Sequence, residues 1–191
     1  DMLVPLAVGT HVTVFGKLPS PKLLVKALGE VRPNLILCVP LVLEKVYRSQ
    51  ILPIISKPSI RRMLAVPFLR KTVYSKICRK LTEAFGGEFS QVIVGGAPLN
   101  PEVEQFLHRI KFHFTVGFGM TECGPLISFT PWDKFIVGSS GRTLPGIMFS
   151  KVESDNEAFI PGEICVKGEN VMRGYYKNPE ATAAVLDSDG W

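Results

Sequence analysis

Gln91-Val-Ile-Val-Gly-Gly-Ala-Pro-Leu-Asn-Pro101 is the stretch on which the fold turns. Gln91 to Val94 reads as a short strand and Gly95-Gly96 ends it. Asn100-Pro101 then supplies an N-cap and a first-turn proline for a helix running to about Ile110. Phe112 to Val116 is the next strand. The unit is strand, loop, helix, strand, and such a crossover implies parallel strands joined in the right-handed sense. The loops Gly95 to Asn100 and Gly117 to Glu122 both follow strands. Both are therefore expected at the carboxyl edge of the sheet, where open α/β folds take their ligands.

Upstream the same order recurs. Val4 to Phe15, rich in valine and threonine around Gly9, reads as a strand or a bent pair. Ser20-Pro21 starts a helix with Leu23, Leu24, Ala27 and Leu28 on one face. Leu35 to Val39, a continuous apolar run between Pro33 and Pro40, is expected to be a buried parallel strand. Leu41 to Ile55 begins helically. Val73, Ile77, Leu81 and Phe85 lay an apolar stripe along a further helix that ends at Gly86-Gly87.

Beyond about Val137 the texture changes to short apolar segments broken by glycine and proline, which predicts short antiparallel strands. Asn178-Pro179-Glu180 then opens a short helix over Ala181 to Leu186, closed by an Asp187-Ser188-Asp189-Gly190 turn. The expected class is α/β. An open, mostly parallel sheet with flanking helices occupies residues 1–137, and part of a small β-rich, barrel-like subdomain occupies 138–191.

A chain of 191 residues with 46% hydrophobic content can bury a core. Its apolar runs fall short of a bilayer-spanning helix. It opens at Asp1 with no signal-peptide pattern and stops at Asp189-Gly190-Trp191, so both ends read as cuts. Cys38, Cys78, Cys123 and Cys165 are scattered, without chelating pairs, and read as free thiols in a reducing cytoplasm. His11, His108 and His113 are equally dispersed, and His113, alternating with Phe112 and Phe114, reads as packing.

The net charge of +5 hides an asymmetry, with fourteen Lys/Arg against five Asp/Glu in residues 1–99 and eight against twelve in the rest. Lys57, Arg61, Arg62, Arg70, Lys71, Lys76, Arg79 and Lys80 form a block without a single acid. Three readings stand: a solvated helix face, a patch facing anionic membrane lipid, or a docking surface for the phosphates of coenzyme A. No nucleic-acid partner is expected.

Gly117-Phe118-Gly119-Met120-Thr121-Glu122 carries the chemistry. The glycines let backbone approach a ligand, Phe118 offers a face on which a purine can stack, Thr121 can donate to a phosphate oxygen, and Glu122 suits a magnesium ion bridging phosphates. Read structurally, the same hexapeptide is a strand-to-helix turn with Gly119 at positive φ and Thr121 or Glu122 as a cap. Gly95-Gly96-Ala97-Pro98-Leu99 is either a tight turn before the Asn100 cap or a set of small residues leaving room for a base or an acyl group.

The motifs resemble those of the adenylate-forming (AMP-binding) enzymes, a superfamily of acyl-CoA synthetases, adenylation domains and luciferases. Gly-Gly-Ala-Pro-Leu at 95–99, Gly-Phe-Gly-Met-Thr-Glu at 117–122, Gly-Ser-Ser-Gly-Arg-Thr-Leu-Pro-Gly at 138–146 and Pro-Gly-Glu through Asp-Gly-Trp at 161–191 stand in the family's order. Among the branches, the chain looks most like a bacterial long-chain fatty acid:CoA ligase, as an internal fragment of the large N-terminal domain. The resemblance implies attack of a fatty acid carboxylate on ATP to give an acyl-adenylate, then displacement of AMP by coenzyme A.

By motif position, the resemblance implies that Gly95, Gly96, Ala97 and Pro98 line the adenine and acyl pocket. Gly117, Phe118, Gly119, Met120 and Thr121 would contact the nucleotide, with Phe118 replacing the family's usual tyrosine. Thr121 and Glu122 would be the catalytic pair and Glu122 the Mg2+ ligand. The family's phosphate loop, ribose-binding aspartate and catalytic lysine have no counterpart within these residues, so the fragment alone is expected to be inactive. Two other readings stay open: adenylation of an aryl or amino acid for a carrier thiol, and a non-catalytic nucleotide-binding module. A cytoplasmic enzyme, peripheral at most at the inner face of a membrane, is the expected setting.

Overall fold

The Asn100-Pro101 signal does what the sequence leads one to expect. Asn100 Oδ1 accepts from the backbone N of Glu102 (3.0 Å) and Val103 (3.3 Å), satisfying two of the first amides of a helix that otherwise lack partners. The structure, a computed structural model, describes residues 3–14, 20–153 and 162–191. Pro161 and Phe15 of the sequence motifs lie outside the described residues.

In chain order the elements are α1 (Leu3–Ala7), α2 (Pro21–Val31), β1 (Leu35–Cys38), α3 (Pro40–Val46), α4 (Leu52–Ile55), α5 (Pro58–Ala65) and α6 (Pro67–Ala84). Then come β2 (Gln91–Val94), α7 (Pro101–Arg109), β3 (Phe114–Val116), β4 (Phe118–Gly119), β5 (Leu126–Phe129), β6 (Arg142–Thr143), β7 (Met148–Glu153), β8 (Glu163–Gly168) and α8 (Pro179–Ala183). The class is α/β, and the contacts divide it into two compact units.

The first unit takes in the described residues up to Ile36, with Leu41–Ser90 and Arg109–Phe112. Its core follows from the four-residue spacing on α6: Val73, Ile77, Leu81 and Phe85 are all buried. Phe85, Phe89 and Phe112 pack ring against ring, with centroids 5.5 to 6.3 Å apart. Every cation of the Lys57 to Lys80 block is exposed.

Two expectations here fail. The segment read as a strand from Val4 begins as the helix α1, because Gly9 takes a left-handed φ of 75° and donates to Leu6 O, ending one helical turn. Leu35 to Val39 was expected to be buried on both faces, yet only Ile36 is buried while Leu35 and Leu37 are each 49% exposed. The strand alternates because one face alone meets the core.

The second unit holds the sheet edge of interest. Val92 pairs with Phe114 and Val94 with Val116 in parallel register, and strands β1, β2 and β3 lie in that order. Val92, Val94, Val103, Phe106, Leu107 and Phe114 form its core. Downstream the strands run antiparallel, β4-β5-β6 in one sheet and β7-β8 in another; β6, β7 and β8 follow the change of texture at Val137, whereas β4 and β5 precede it.

The Gly138 to Thr143 motif is scaffold: Gly138 N donates to the buried Glu104 carboxylate (2.9 Å) and Ser128 Oγ donates to Ser140 O (2.8 Å). His113 stacks on Trp132 with centroids 3.6 Å apart, the packing role expected of it. Helix α8 is shorter than predicted, but Asn178 caps it through Ala181 N and Asp187 closes the following turn.

Candidate functional site

Each glycine loop leaves the parallel sheet from its last rung. Gly95 N donates to Cys38 O (3.1 Å) and Gly117 N to Val94 O (2.9 Å). A Cβ built on Gly95 would lie 3.8 Å from Gly117 O, so the two backbones converge at the carboxyl edge as predicted. Gly96, Ala97 and Pro98 are exposed there and are followed by buried Leu99. Small side chains leave this edge open.

Gly117 to Glu122 is not a strand-to-helix turn. After Gly117 the chain extends as β4, Met120 N donates to Pro125 O (2.9 Å), and a short 3-10 turn over Thr121–Cys123 ends at Gly124, whose φ is 64°. The positive φ expected at Gly119 falls on Gly124 instead. Gly119 is extended, and a Cβ there would overlap the Pro125 carbonyl oxygen. Met120 takes the N-cap position with no side-chain bond, so neither Thr121 nor Glu122 caps a helix.

Burial sorts the side chains of the hexapeptide. Cys123 is 2% exposed and joins Ile127 and Met148 in a small core, onto which Phe118, Leu144, Val166 and Val171 pack. Phe118 is thus half-buried, its ring fixed by the protein and part of it open to a partner. Met120 and Thr121 are exposed, while Glu122 is intermediate.

Glu122 is held from far along the chain. The Tyr175 hydroxyl donates to Glu122 Oε1 at 2.8 Å. Met172 N donates to Glu122 O at 2.7 Å. Asn170 Nδ2 donates to Cys123 O at 2.5 Å and to Leu126 O at 3.1 Å. Two donors reach the carboxylate and favour its charged form, its own amide first and the Tyr175 hydroxyl second, so the Glu122 carboxyl lies below the ordinary carboxylate range.

The Tyr175 phenol is pushed up in return, first by the hydrogen bond it gives Glu122, then by burial and by the negative charge beside it. Burial pushes the Cys38 thiol up to about 12 and, with the Glu122 charge, raises Cys123. Neither thiol offers a thiolate at neutral pH.

Asn170, Met172 and Tyr175 lie between β8 and α8, and the sequence reading names none of them as a site residue. Tyr175 N donates to Thr182 Oγ1 (2.9 Å), and Thr182 Oγ1 donates to Asn178 O (2.8 Å), so the residue is fixed against the start of α8. Gly174-Tyr175 beside the Asn178-Pro179 cap was the local signal. Nothing local says that the phenol reaches back 53 positions.

An ionised, partly exposed carboxylate beside the exposed hydroxyl of Thr121 fits magnesium, which one or two carboxylates hold together with substrate phosphates and water. Among the described residues, no group of three or more His, Cys, Asp or Glu forms a cage of protein ligands alone.

A family profile described as AMP-binding enzyme matches residues 1–176. Long chain acyl-CoA synthetase 7, peroxisomal, of Arabidopsis thaliana is 38% identical over 133 residues, covering 65% of this chain and 18% of its own length. Long-chain-fatty-acid–CoA ligase 1 of Cavia porcellus is 28% identical over 187 residues, covering 89% and 27%. Apo MatB from Rhodopseudomonas palustris superposes with a TM-score of 0.67 at 23% identity, covering 98% of this chain and 32% of that one. The long-chain-fatty-acid-CoA ligase FadD1 from Archaeoglobus fulgidus gives 0.67 at 18% identity, covering 98% and 35%. At such identities the two structures speak to fold alone. The chain spans between 18% and 35% of the length of these proteins.

Proposed function

Because this chain belongs to the AMP-binding enzyme family, we propose that its parent protein activates a long-chain fatty acid in two steps. The acid's carboxylate attacks the α-phosphate of ATP, giving acyl-adenylate and pyrophosphate. The thiol of coenzyme A then attacks the acyl carbon, giving acyl-CoA and AMP. The observation that carries this reading is the approach of the Gly95 and Gly117 backbones at one sheet edge, with Glu122, on the same loop as Gly117, kept ionised. Relatives named as long-chain acyl-CoA synthetase and ligase support the choice of acid.

In this reading Gly95, Gly96, Ala97 and Pro98 give room to adenine and the acyl chain, Phe118 stacks on the base, and Thr121 donates to a phosphate oxygen. Glu122 holds magnesium, which when bound offsets charge on the phosphates. A carboxylate fixed in place before the nucleotide arrives needs little reorganisation, which is how preorganised charge lowers a barrier.

The test uses the full-length protein, acid-dependent ATP–pyrophosphate exchange and thioester formation, with long-chain fatty, aryl and amino acids compared. Long-chain acids are expected to drive both reactions. Glu122→Ala is expected to slow adenylation by about 100-fold or more, and near-normal rates would refute its metal role. Exchange with aryl or amino acids alone moves the reading to carrier-thiol chemistry. Nucleotide binding with no acid-dependent exchange makes the protein a binding module. The 191-residue chain alone is expected to show no exchange.

The basic block is proposed to touch anionic lipid. Its eight exposed cations flank Phe68, 84% exposed, and Val66, 45% exposed, a pairing that suits an interfacial contact. Among the described residues, no helix is long and apolar enough to cross a membrane. Equal sedimentation of the full-length protein with anionic and neutral vesicles would count against the contact.

A further inference from the structure

A carboxylate on a short turn is a poor metal ligand unless something fixes its direction, because a ligand that must be ordered on binding gives up rotamer entropy. Glu122 sits on such a turn. Its backbone is fixed by Met172 N on its own carbonyl (2.7 Å) and by Asn170 Nδ2 on the next carbonyl, that of Cys123 (2.5 Å). Its side chain is held by its own amide and, from across the fold, by the Tyr175 hydroxyl at 2.8 Å.

We infer that Tyr175 is a positioning residue that aims the Glu122 carboxylate at its cation. This rests on the reading of Glu122 as the magnesium ligand. An ionised carboxylate offers about four acceptor sites, so its own amide and the phenol use two and leave others for a metal. A neutral O–H donor orients the carboxylate without cancelling the charge a cation needs, as an Arg or Lys in the same place would do.

The phenol is itself anchored. Tyr175 N is bonded to Thr182 Oγ1, and the preceding Gly174 has a φ of 143° and a would-be Cβ only 2.8 Å from Thr182 Cγ2. Glycine is what lets the chain lie this close to Thr182, and the closeness fixes where Tyr175 starts. A line of contacts therefore runs from the capped start of α8, through Thr182 and Tyr175, to Glu122.

The experiment compares wild type, Tyr175→Phe and Glu122→Gln in the full-length protein by calorimetric titration with AMP in the absence of metal and with ATP over a magnesium series. Tyr175→Phe removes a hydroxyl only. It is expected to raise the magnesium concentration for half-maximal ATP binding about tenfold, the range seen when an outer-shell partner is lost, with metal-free AMP affinity unchanged. Glu122→Gln should abolish the magnesium response.

An unchanged magnesium midpoint in Tyr175→Phe, with Glu122→Gln still defective, overturns the role of Tyr175 and leaves that of Glu122 standing. An equal loss of metal-free AMP affinity makes Tyr175 a structural post and also overturns the inference. A wild type whose ATP binding ignores magnesium removes the reading on which it rests.

Discussion

The loops at 95–98 and 117–122 look alike as sequence and leave the same sheet edge, yet their glycines answer to different constraints. Gly96 has a φ of 85°, and a Cβ there would find only Val39 Cγ1 at 4.0 Å. It has space and the wrong torsion for a side chain. Gly119 has an ordinary extended torsion and no space, because Pro125 and Leu126 backbone lies against it. The first loop is an open shelf held by its own turn. The second is pressed between β5 and the segment that carries Asn170 and Tyr175, which is what a precisely aimed carboxylate requires.

The sharpest way to break that contrast is Gly119→Ala. The obstacle is backbone rather than a side chain that can rotate away, so a loss of about 3 kcal/mol or more is expected, at the upper end of overpacking effects. Urea unfolding of the full-length protein measures it. A loss no larger than that of Gly96→Ala would erase the distinction.

Asn170→Ala comes next. The carbonyls of Cys123 and Leu126 would both lose their donor, for a loss of about 2 kcal/mol. Asn170 Oδ1 is buried without a partner. Asn170→Asp should therefore be worse than Ala, since it sets a charged oxygen against two carbonyl oxygens. An aspartate variant as stable as wild type would show that the clamp does not hold the turn.

How much of this could be read beforehand depends on how local the cause is. The strand, cap and helix from Gln91 to Val116 were legible because Asn100 bonds amides two and three positions away. The stripe on α6 was legible because burial repeats with the helical period. At Val4 to Phe15, β-branched composition pointed to strand, but strand preference expresses packing more than backbone, and Gly9 ended a helical turn instead.

At the site, residue types singled out Glu122 and Thr121 as candidates. The bonds that orient Glu122 come from about 50 positions away and depend on how β7, β8 and α8 fold together. Asn170 had no local pattern to announce it, and Gly174-Tyr175 marked an anchor without naming its partner. For Gly119 the sequence offers ligand approach or a positive φ, whereas the structure adds a backbone neighbour visible only in three dimensions.

On the open shelf, Gly96→Ala should cost about 1 kcal/mol, the strain of a left-handed residue that gains a Cβ with nothing to strike. A loss approaching that of Gly119→Ala would mean that the shelf is as tightly packed as the turn. Thermal unfolding of the two variants side by side decides this.

The smallest effect separates the loops by pH. Gly95–Pro98 contains no titratable side chain, whereas the Glu122 carboxyl is held below its ordinary value by its own amide and by Tyr175. A depressed carboxyl contributes stability that is complete above its unfolded pKa and fades as pH falls through the folded one, so the window lies at and below the usual carboxylate range. Exposure to solvent and salt keeps the contribution small.

Removing the phenol in Tyr175→Phe takes away one of the two donors. Glu122 should then titrate closer to an unperturbed glutamate, and the variant should lose less stability than wild type on acidification. Carbon-detected NMR titration of the Glu122 carboxyl in both proteins checks the shift directly. Identical titration would mean that the bond at 2.8 Å does not persist in solution, and the contrast between a free shelf and a clamped carboxylate would reduce to backbone packing alone.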